Sequence, residues 1–340
     1  MKVEVTIGIP VYKSVDRTIL SALSQTFIDI EILIIDDCGN DGTIDKVSVW
    51  QSTHPRGKII RILQNDKNRG VSYCRNRIID ESLGRFLYFL DSDDIIEPTT
   101  IQILYETLNG YNAQIAYGSY EIVANDIEKK VQKFEKPLLY IDGSYKLAAY
   151  VFKNIDIFHV SVCNILMDID FVKATCIRFI DVSYWEDMAF STELAIKVNR
   201  AAMIPNITYH YIHHLDSLSH QEKREGCLRD EIINNVAVLD YLKNKLLIMA
   251  DYEFLPYLIY NLELNSFYLI CNILKKANRI VPMLSSAELR NILRIPLTLK
   301  DIWNLKRKRL PNIFFWLISV MPLVFFLPTI KLFGTIKKVF

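Results

Sequence analysis

Short apolar runs and helical patterns alternate along the first hundred residues. The runs at 3–9, 30–35, 59–63 and 86–90 have the length and composition of buried strands, and the segments between them repeat apolar residues at helical spacing. We expect the third of these helices to end at Gly84, because glycine commonly closes helices. Strands that alternate with helices predict an α/β fold, with a mostly parallel, doubly wound sheet flanked by helices.

Beyond about residue 110 the apolar runs are shorter and the pattern is mixed. Strands are expected near 114–118, 160–167 and 207–211. A helix is expected to begin near Trp185-Glu186-Asp187 and to bury the apolar side chains that follow it.

The sequence predicts three regions. Residues 1–220 form the α/β domain. Residues 221–305 form a helical C-terminal extension, since 228–294 carries long helical runs of Leu, Ile, Asn and Lys. Residues 306–340 form a basic and apolar tail.

One predicted strand runs directly into a cluster of acids. Phe86-Leu87-Tyr88-Phe89-Leu90 is apolar on both faces, and Asp91, Asp93 and Asp94 follow it. A buried strand cannot hold this charge, so the acids should lie at its carboxyl end, where open α/β sheets bind ligands. If strand geometry continues, Asp91 and Asp93 share a face, with Ser92 opposite. Two hard oxygen ligands suit Mg²⁺ or Mn²⁺ bridged to a substrate diphosphate, and an acidic turn is the alternative.

Composition and charge narrow the class of protein. The formal net charge of the 340 residues is only +1, so no nucleic-acid partner is expected. The stretch 300–340 holds eight Lys or Arg and one Asp, which leaves a net charge of −6 on the first 299 residues. The six cysteines include no CxxC pair, so we expect neither a zinc site nor a disulfide framework, and a reducing cytoplasm is the expected compartment. No signal peptide is expected, since Met1-Lys2-Val3-Glu4 runs straight into a charged strand.

Five motifs follow one another along the first two hundred residues. They are Pro10-Val11-Tyr12, Asp36-Asp37 with Asp41-Gly42-Thr43, Asn68-Arg69-Gly70 with Cys74-Arg75-Asn76, Asp91-Ser92-Asp93-Asp94, and Trp185-Glu186-Asp187. In this order they resemble the motifs of the bacterial family 2 inverting glycosyltransferases of the GT-A fold, which build cell-surface polysaccharides. The resemblance covers roughly residues 3–220, with three departures at Lys13, Cys38 and Ile78.

The resemblance implies transfer of a sugar from a nucleotide diphosphate sugar, with UDP as the expected nucleotide, to an acceptor hydroxyl. Asp93 is the first expected ligand of Mn²⁺ or Mg²⁺, and Asp91 is expected to be shared between metal and ribose. His214 is a further candidate metal ligand, although strand alternation leaves open whether His213 or His214 points inward.

The same resemblance implies residues that bind the nucleotide sugar. Asp36 and Asp37 are expected to accept hydrogen bonds from the base or ribose, and a turn-forming role is the alternative for Asp37. Pro10 and Tyr12 are expected to wall the base. Arg75 is expected to lie beside the diphosphate, with a surface salt bridge as the alternative. Asn68 and Ser92 complete the expected donor site.

Inversion requires a base on the side of the sugar opposite the leaving group. The resemblance assigns this role to Asp187, with Glu186 holding the acceptor or orienting Asp187. We expect the positive end of the helix dipole to keep Asp187 ionised. Without the resemblance, both acids would be interpreted as ordinary helix-start acids.

Three other functions are weighed against this one. A nicotinamide-dependent oxidoreductase should carry G-x-G-x-x-G after its first strand, where this chain has Pro10-Val11-Tyr12-Lys13. A sugar-phosphate nucleotidyltransferase needs a Gly-rich basic loop at the same place. A catalytically inactive, membrane-bound partner in a polysaccharide assembly complex is the third, and intact Asp91, Asp93 and Asp187 argue against it.

The tail has the composition of a membrane-associating segment. Residues 313–330 carry no charge, and as a straight helix they would span about 27 Å, against a hydrocarbon core of roughly 30 Å. Basic residues flank both ends, which favours a bent or in-plane helix on anionic lipid, although a spanning helix stays open. We expect attachment to the cytoplasmic face of the plasma membrane, where a saccharide or lipid-linked saccharide acceptor would be presented.

Overall fold

The computed structural model describes residues 3–13, 15–124, 129–154, 161–213, 229–249, 252–280 and 282–339. The chain forms two compact units. The first comprises Met1–Leu147, Asp156–Asp181 and Glu186–Ser217, and the second comprises Ala148–Ile155, Val182–Trp185 and Leu218–Phe340. The division predicted from the sequence, at 1–220, 221–305 and 306–340, stays a prediction.

A single sheet runs through the first unit, and ten of its strands lie in the described residues. The strands follow the order β3-β2-β1-β4-β9-β6-β10-β5, with β7 beside β6 and β8 beside β10. They are β1 (Val5–Val11), β2 (Ile30–Asp36), β3 (Ile60–Gln64), β4 (Phe86–Phe89), β5 (Ile95–Ile96), β6 (Ile115–Ala124), β7 (Lys129–Phe134), β8 (Leu139–Asp142), β9 (Ile165–Asp168) and β10 (Arg200–His213).

The sheet is parallel on one side and mixed on the other. Strands β3, β2, β1 and β4 are all parallel, as the alternation of strands and helices predicts. Strand β9 then runs antiparallel to both β4 and β6, and β5, β7 and β8 are antiparallel to their partners as well. The expected α/β fold is confirmed, but the doubly wound parallel pattern ends at β4, because β9 enters the sheet in the opposite direction.

The helices of the first unit cover the sheet and follow its strands. The predicted helix at residues 185–187 is confirmed, since α7 begins at Glu186 and buries Phe190 and Leu194. The helices are α1 (Asp16–Leu23), α2 (Thr43–Thr53), α3 (Val71–Glu81), α4 (Thr100–Gly110), α5 (Lys146–Lys153), most of which belongs to the second unit, α6 (Ile169–Ala174) and α7 (Glu186–Lys197).

Gly84 does not close α3, which ends at Glu81. A Cβ atom added at Gly84 would lie 2.5 Å from the backbone nitrogen of Thr6 and 2.7 Å from the carbonyl carbon of Val5. The glycine is therefore required by the close approach of the chain to β1, which a side chain would prevent.

From Arg229 onward the described residues of the second unit are mainly helical, as predicted for 228–294. Pro256 lies in the first turn of α9, where proline is tolerated, and does not interrupt the helix. The apolar stretch 313–330 is divided between two helices at Met321-Pro322. The helices are α8 (Arg229–Asn244), α9 (Leu255–Lys275), α10 (Ser286–Leu293), α11 (Leu299–Trp303), α12 (Arg309–Val320) and α13 (Leu323–Ile336). Within the described ranges, none of the helices has the length and hydropathy that crossing a bilayer requires.

Candidate functional site

The loops after β1, β2, β3 and β4 leave the sheet at the same edge. Val11 is paired in register with Asp36, and Asp36 with Gln64, so three of these strands end side by side. The carboxyl edge of a parallel sheet is where α/β proteins bind ligands. The site described below lies entirely within the first unit.

Asp37 is buried, and its carboxylate accepts three hydrogen bonds from the loop that leads into α3. The side chain of Asn65 donates through Nδ2 at 2.7 Å, and the backbone N–H groups of Arg69 and Gly70 each donate at 2.8 Å. Charge-assisted bonds of this kind fix the loop and the start of α3. The turn-stabilising role is thus present, and the expected bond from Asp37 to a nucleotide stays a prediction.

Asn65, which the sequence analysis missed, is the buried asparagine of this loop, whereas the predicted Asn68 is exposed. Besides its bond to Asp37, Asn65 accepts a hydrogen bond from Nη1 of Arg77 at 2.7 Å. Asp36 accepts one from Nε2 of Gln64 at 2.9 Å. The one sequence signal that marks Asn65 is the position of this residue directly after strand β3.

Tyr12 presents its ring at this edge, with 47% of the residue exposed. Lys13 is also exposed, and its Nζ lies 5.2 Å from the centre of the Tyr12 ring. Pro10 is half-buried in β1. A Cβ atom at Gly39 would lie 1.5 Å from the carbonyl oxygen of Tyr12, so glycine is needed for the loops after β1 and β2 to meet. The exposed ring is suited to stacking on a flat ligand group.

Arg75 of α3 is buried and forms ion pairs with three carboxylates. Its Nη2 lies 2.8 Å from Oδ1 of Asp91, and its Nη1 lies 2.8 Å from Oε1 of Glu186 and 2.6 Å from Oδ1 of Asp187. Its side chain is 4% exposed, and its guanidinium lies 5.4 Å from the centre of the Phe179 ring. The pairs are therefore buried, not the surface salt bridge that was the alternative, and they join three of the predicted motifs.

Burial raises the pKa of Asp187 to about 7. Loss of contact with water is the largest cause, the positive charge of Arg75 opposes it, and the negative charges of Glu186 and Asp91 add to it. Burial thus opposes the ionised form that the helix dipole was expected to favour, and with a pKa of about 7 the Asp187 carboxyl is ionised only in part at neutral pH. The expected effect of the dipole itself stays a prediction.

The acidic motif after β4 forms a turn and does not continue the strand. Strand β4 ends at Phe89, and the backbone N–H of Asp94 donates to the carbonyl oxygen of Asp91 at 3.2 Å. The buried hydroxyl of Thr18 donates to the carbonyl oxygens of both Ser92 and Asp94 at 2.8 Å. The strand alternation expected for Asp91 and Asp93 does not apply, because the chain has already left the sheet.

The three acids of this turn have different surroundings. Asp91 pairs with Arg75 and keeps 31% of its side chain exposed, and Asp93 is exposed. Asp94 is buried and accepts hydrogen bonds from the Tyr209 hydroxyl at 2.5 Å and the Ile212 backbone N–H at 2.8 Å. Burial, followed by the charges of Asp93 and Asp91, raises the pKa of Asp94 well above its usual value. Asp94 thus ties the turn to β10, while the other two acids face the edge.

The histidines near the end of β10 differ in their placement. His213 is half-buried, and the predicted metal ligand His214 lies outside the described residues. His210 was not selected from the sequence. Its Nε2 lies 2.8 Å from a carboxylate oxygen of Glu97, and its Nδ1 lies 3.0 Å from one of the fully buried Glu121. These contacts join β10 to β6 and to the segment after β5.

The acids of the turn fit a hard divalent cation. No group of three or more His, Cys, Asp and Glu side chains suited to a metal occurs within the residues that the structure describes. Mg²⁺ commonly uses only one or two carboxylates together with substrate phosphates, and Asp91 and Asp93 supply two at the open edge. Because three carboxylates surround the single guanidinium of Arg75, the local charge also favours a cation.

Comparison with known proteins finds curated relatives that match part of this chain. The chain is 31% identical over 155 residues to the succinoglycan biosynthesis protein ExoO of Rhizobium meliloti, covering 45% of this chain and 43% of that protein. It is 32% identical over 136 residues to the UDP-Glc:alpha-D-GlcNAc-diphosphoundecaprenol beta-1,3-glucosyltransferase WfgD of Escherichia coli, covering 39% of this chain and 51% of that protein. The chain thus spans about half the length of these curated relatives.

The fold is also that of solved glycosyltransferases. The crystal structure of S. aureus TarS residues 1–349 in complex with UDP-GlcNAc superposes with a TM-score of 0.64 at 17% identity, over 93% of this chain and 90% of that one. This likeness establishes the GT-A-like α/β fold. Residues 6–174, which contain four of the five motifs, match the model of "Glycosyl transferase family 2". The chain therefore belongs to glycosyl transferase family 2.

Proposed function

We propose that this protein is an inverting glycosyltransferase that transfers a sugar from a nucleotide diphosphate sugar to an acceptor hydroxyl during the synthesis of a cell-surface polysaccharide. The observation that carries the proposal is the buried Arg75, which joins Asp91 of the acidic turn to Glu186 and Asp187 at the start of α7. Asp91, on the side proposed for the donor diphosphate, and Asp187, proposed to take the acceptor proton, therefore belong to one network of ion pairs.

The donor in this proposal is a UDP-sugar. The relative WfgD, 32% identical over the matched region, is named as a UDP-Glc-dependent enzyme. In this chain, the exposed Tyr12 ring would stack on the base, and the buried carboxylate of Asp36 at the same edge would accept a hydrogen bond from base or ribose. Pro10, Asn68 and Ser92 belong to the same proposed donor site.

Asp93 and Asp91 would hold Mn²⁺ or Mg²⁺ in this site, and His214 stays a candidate third ligand. When bound, the cation would act as a Lewis acid on the diphosphate that leaves. The contribution of the chain is to keep two carboxylates at the open edge. Arg75 is the group that fixes the position of Asp91.

Asp187 would take the proton from the acceptor hydroxyl. Because burial raises its pKa to about 7, the carboxylate is basic enough to accept a proton and still ionised in part at neutral pH. Arg75 and the Val162 backbone N–H, 3.4 Å from Oδ2, hold its two oxygens. Glu186 shares Nη1 of Arg75 with Asp187, which suits a role in orienting the base or the acceptor.

The acceptor in this proposal is a saccharide or a lipid-linked saccharide at the cytoplasmic face of the plasma membrane. The names of two relatives support this class, since one refers to succinoglycan biosynthesis and the other to a GlcNAc-diphosphoundecaprenol acceptor. The alternative is a catalytically inactive partner in a polysaccharide assembly complex. The presence of Asp91, Asp93 and Asp187 around one edge disfavours that alternative.

The test is a panel of sugar nucleotides, assayed for UDP release with and without Mn²⁺ and with excess chelator. We expect at least one UDP-sugar to be hydrolysed or transferred in a metal-dependent manner. Asp187→Asn should lower the rate by about 10²–10⁴ while donor affinity stays close to that of the unmodified protein, because a positioned base acts on the acceptor.

Asp170→Asn is the matched control, since Asp170 is an exposed acid in the first turn of α6. It should leave both quantities unchanged. The proposal fails if no sugar nucleotide is turned over, or if Asp187→Asn transfers sugar normally. Loss of donor binding together with transfer in Asp187→Asn would reject the assignment of Asp187 as base.

A further inference from the structure

The exposed side of α13 is apolar. Large hydrophobic side chains on this side are 60–71% exposed at Val324, Phe325, Leu332 and Ile336, whereas Phe326 and Ile330 on the other side are fully buried. A helix on the surface of a soluble protein normally presents polar residues to water. The exposed face of α13 is therefore suited to burial against another apolar surface.

Helix α12 repeats this arrangement. Leu310, Leu317 and Val320 are 78%, 49% and 43% exposed, while Phe315 and Ile318 are buried. The two helices pack against each other, since the Phe314 and Phe333 ring centres lie 4.4 Å apart. We call the exposed apolar side chains of α12 and α13 the tail surface.

The chain around the tail surface is strongly basic. Of the charged residues in 300–340, eight are Lys or Arg and one is Asp301, and all eight basic residues are exposed. They lie in α11, just before α12 and at its first residue, on α13 and directly after α13. The basic residues are Lys300, Lys306 to Arg309, Lys331, Lys337 and Lys338.

We propose that the tail surface docks on an anionic lipid bilayer, with α12 and α13 lying in the plane of the membrane interface. Helices that lie in this plane bury one apolar face among the lipids and place Lys and Arg beside the headgroups. Their other faces are free to pack on protein, as those of α12 and α13 do. The inference rests on the part of the proposed function that places the acceptor at a membrane, and it names the surface that would bring the enzyme there.

A second copy of this chain is a poorer occupant. A symmetric contact between two tail surfaces would bring two groups of eight cations together, and like charges across an interface oppose association. An anionic lipid surface instead attracts each of these cations. The charge therefore selects the bilayer over self-association.

The experiment is co-sedimentation of the full chain with vesicles of phosphatidylcholine alone and of phosphatidylcholine with about one-third phosphatidylglycerol. We expect binding to the anionic vesicles and much weaker binding to the neutral ones. Lys337→Gln and Lys338→Gln should each weaken binding about five-fold, an effect that added salt should also produce.

Apolar contact is tested separately with Phe325→Ser and Leu332→Ser, each expected to weaken binding to anionic vesicles about ten-fold. The matched control is Ile28→Ser, which removes an apolar side chain of the first unit that is at least as exposed, and it should bind as the unmodified protein does. Thermal melting of all variants should be close to that of the unmodified chain, because the replaced side chains are exposed.

Three outcomes would overturn the inference. The first is that the unmodified chain stays in the supernatant with anionic vesicles. The second is that Phe325→Ser and Leu332→Ser bind to these vesicles as tightly as Ile28→Ser. The third is a dimer, seen by sedimentation velocity without lipid, that Phe325→Ser dissociates, which would assign the surface to a second copy. Vesicle binding measures no sugar transfer, so its failure would leave the proposed reaction standing, and a failed sugar-nucleotide panel would leave the docking surface standing.

Discussion

Replacing Arg75 with methionine removes the cation from a buried group of four charges. Methionine keeps most of the apolar stem of arginine, so the packing of α3 should survive while the guanidinium is lost. Asp91, Glu186 and Asp187 each lie within 2.8 Å of that guanidinium. Without it, three carboxylates would face one another in surroundings where Glu186 and Asp187 are 13% and 18% exposed.

The expected loss of stability is large. Breaking a buried ion pair by removing one partner costs about 3–5 kcal/mol, because the remaining charge stays buried without compensation. For a folding unit of this size, each kcal/mol lowers the melting temperature by roughly 2–4 °C, so Arg75→Met should melt about 6–20 °C below the unmodified protein.

The loss should depend on pH in a defined direction. Loss of the cation raises the folded-state pKa of Asp187 further above its unfolded value, because the positive charge of Arg75 is the main effect that opposes burial there. A carboxyl with a raised folded-state pKa costs stability as the pH rises from its unfolded pKa through its folded pKa. The difference in stability between Arg75→Met and the unmodified protein should therefore be smaller at about pH 5, where Asp187 is protonated in both, than at about pH 8.

Thermal melting followed by circular dichroism measures the loss of stability at both pH values, with Arg178→Met as the control. Arg178 pairs with Asp80 at 2.7 Å on the surface, where an ion pair contributes about 0–1 kcal/mol. If Arg75→Met melts like Arg178→Met at both pH values, Arg75 does not hold a buried group of acids together. A destabilisation that grows toward low pH would contradict the electrostatic explanation as well.

Two further predictions concern the acids of the site. In a pH–rate profile, the rate of sugar transfer should rise with pH and level off above about pH 7, and at about pH 6 it should be about ten-fold below the plateau. A profile that is flat from acid to neutral pH would contradict the assignment of Asp187 as the base. Asp93→Ala should abolish transfer with little change in melting temperature. Asp94→Ala should destabilise the fold by about 1–3 kcal/mol in urea unfolding, because it leaves the Tyr209 hydroxyl and the Ile212 N–H without their acceptor; equal stability of the two variants would contradict these separate roles.

Much of the first unit could be predicted because its signals are local. The four parallel strands and the start of α7 follow from apolar runs and helix-start acids within a few residues of each other. The entry of β9 between β4 and β6 has no such signal, since it depends on pairing with residues far away in the chain. For the same reason the sheet was expected to be more uniformly parallel than it is.

The roles of individual acids in the turn after β4 could not be predicted from the motif alone. Asp91, Asp93 and Asp94 are chemically identical and lie within four positions, yet Asp91 pairs with Arg75, Asp93 is exposed and Asp94 bonds to Tyr209. The partner of Asp94 lies 115 residues further along the chain. Burial by such distant elements, which no periodicity records, raises the pKa of Asp94 well above its usual value.

Helix α3 links the acids at the two ends of the site. Asp37 holds the backbone of Arg69 and Gly70, and with it the first turn of α3. Arg75 follows one turn later on the same helix and holds Asp91 and Asp187. A helix is stiff over so short a distance, so the position of the guanidinium depends on the loop that Asp37 fixes. Asp37 therefore contributes to the geometry of Asp187 through α3, whether or not its own carboxylate ever contacts a nucleotide.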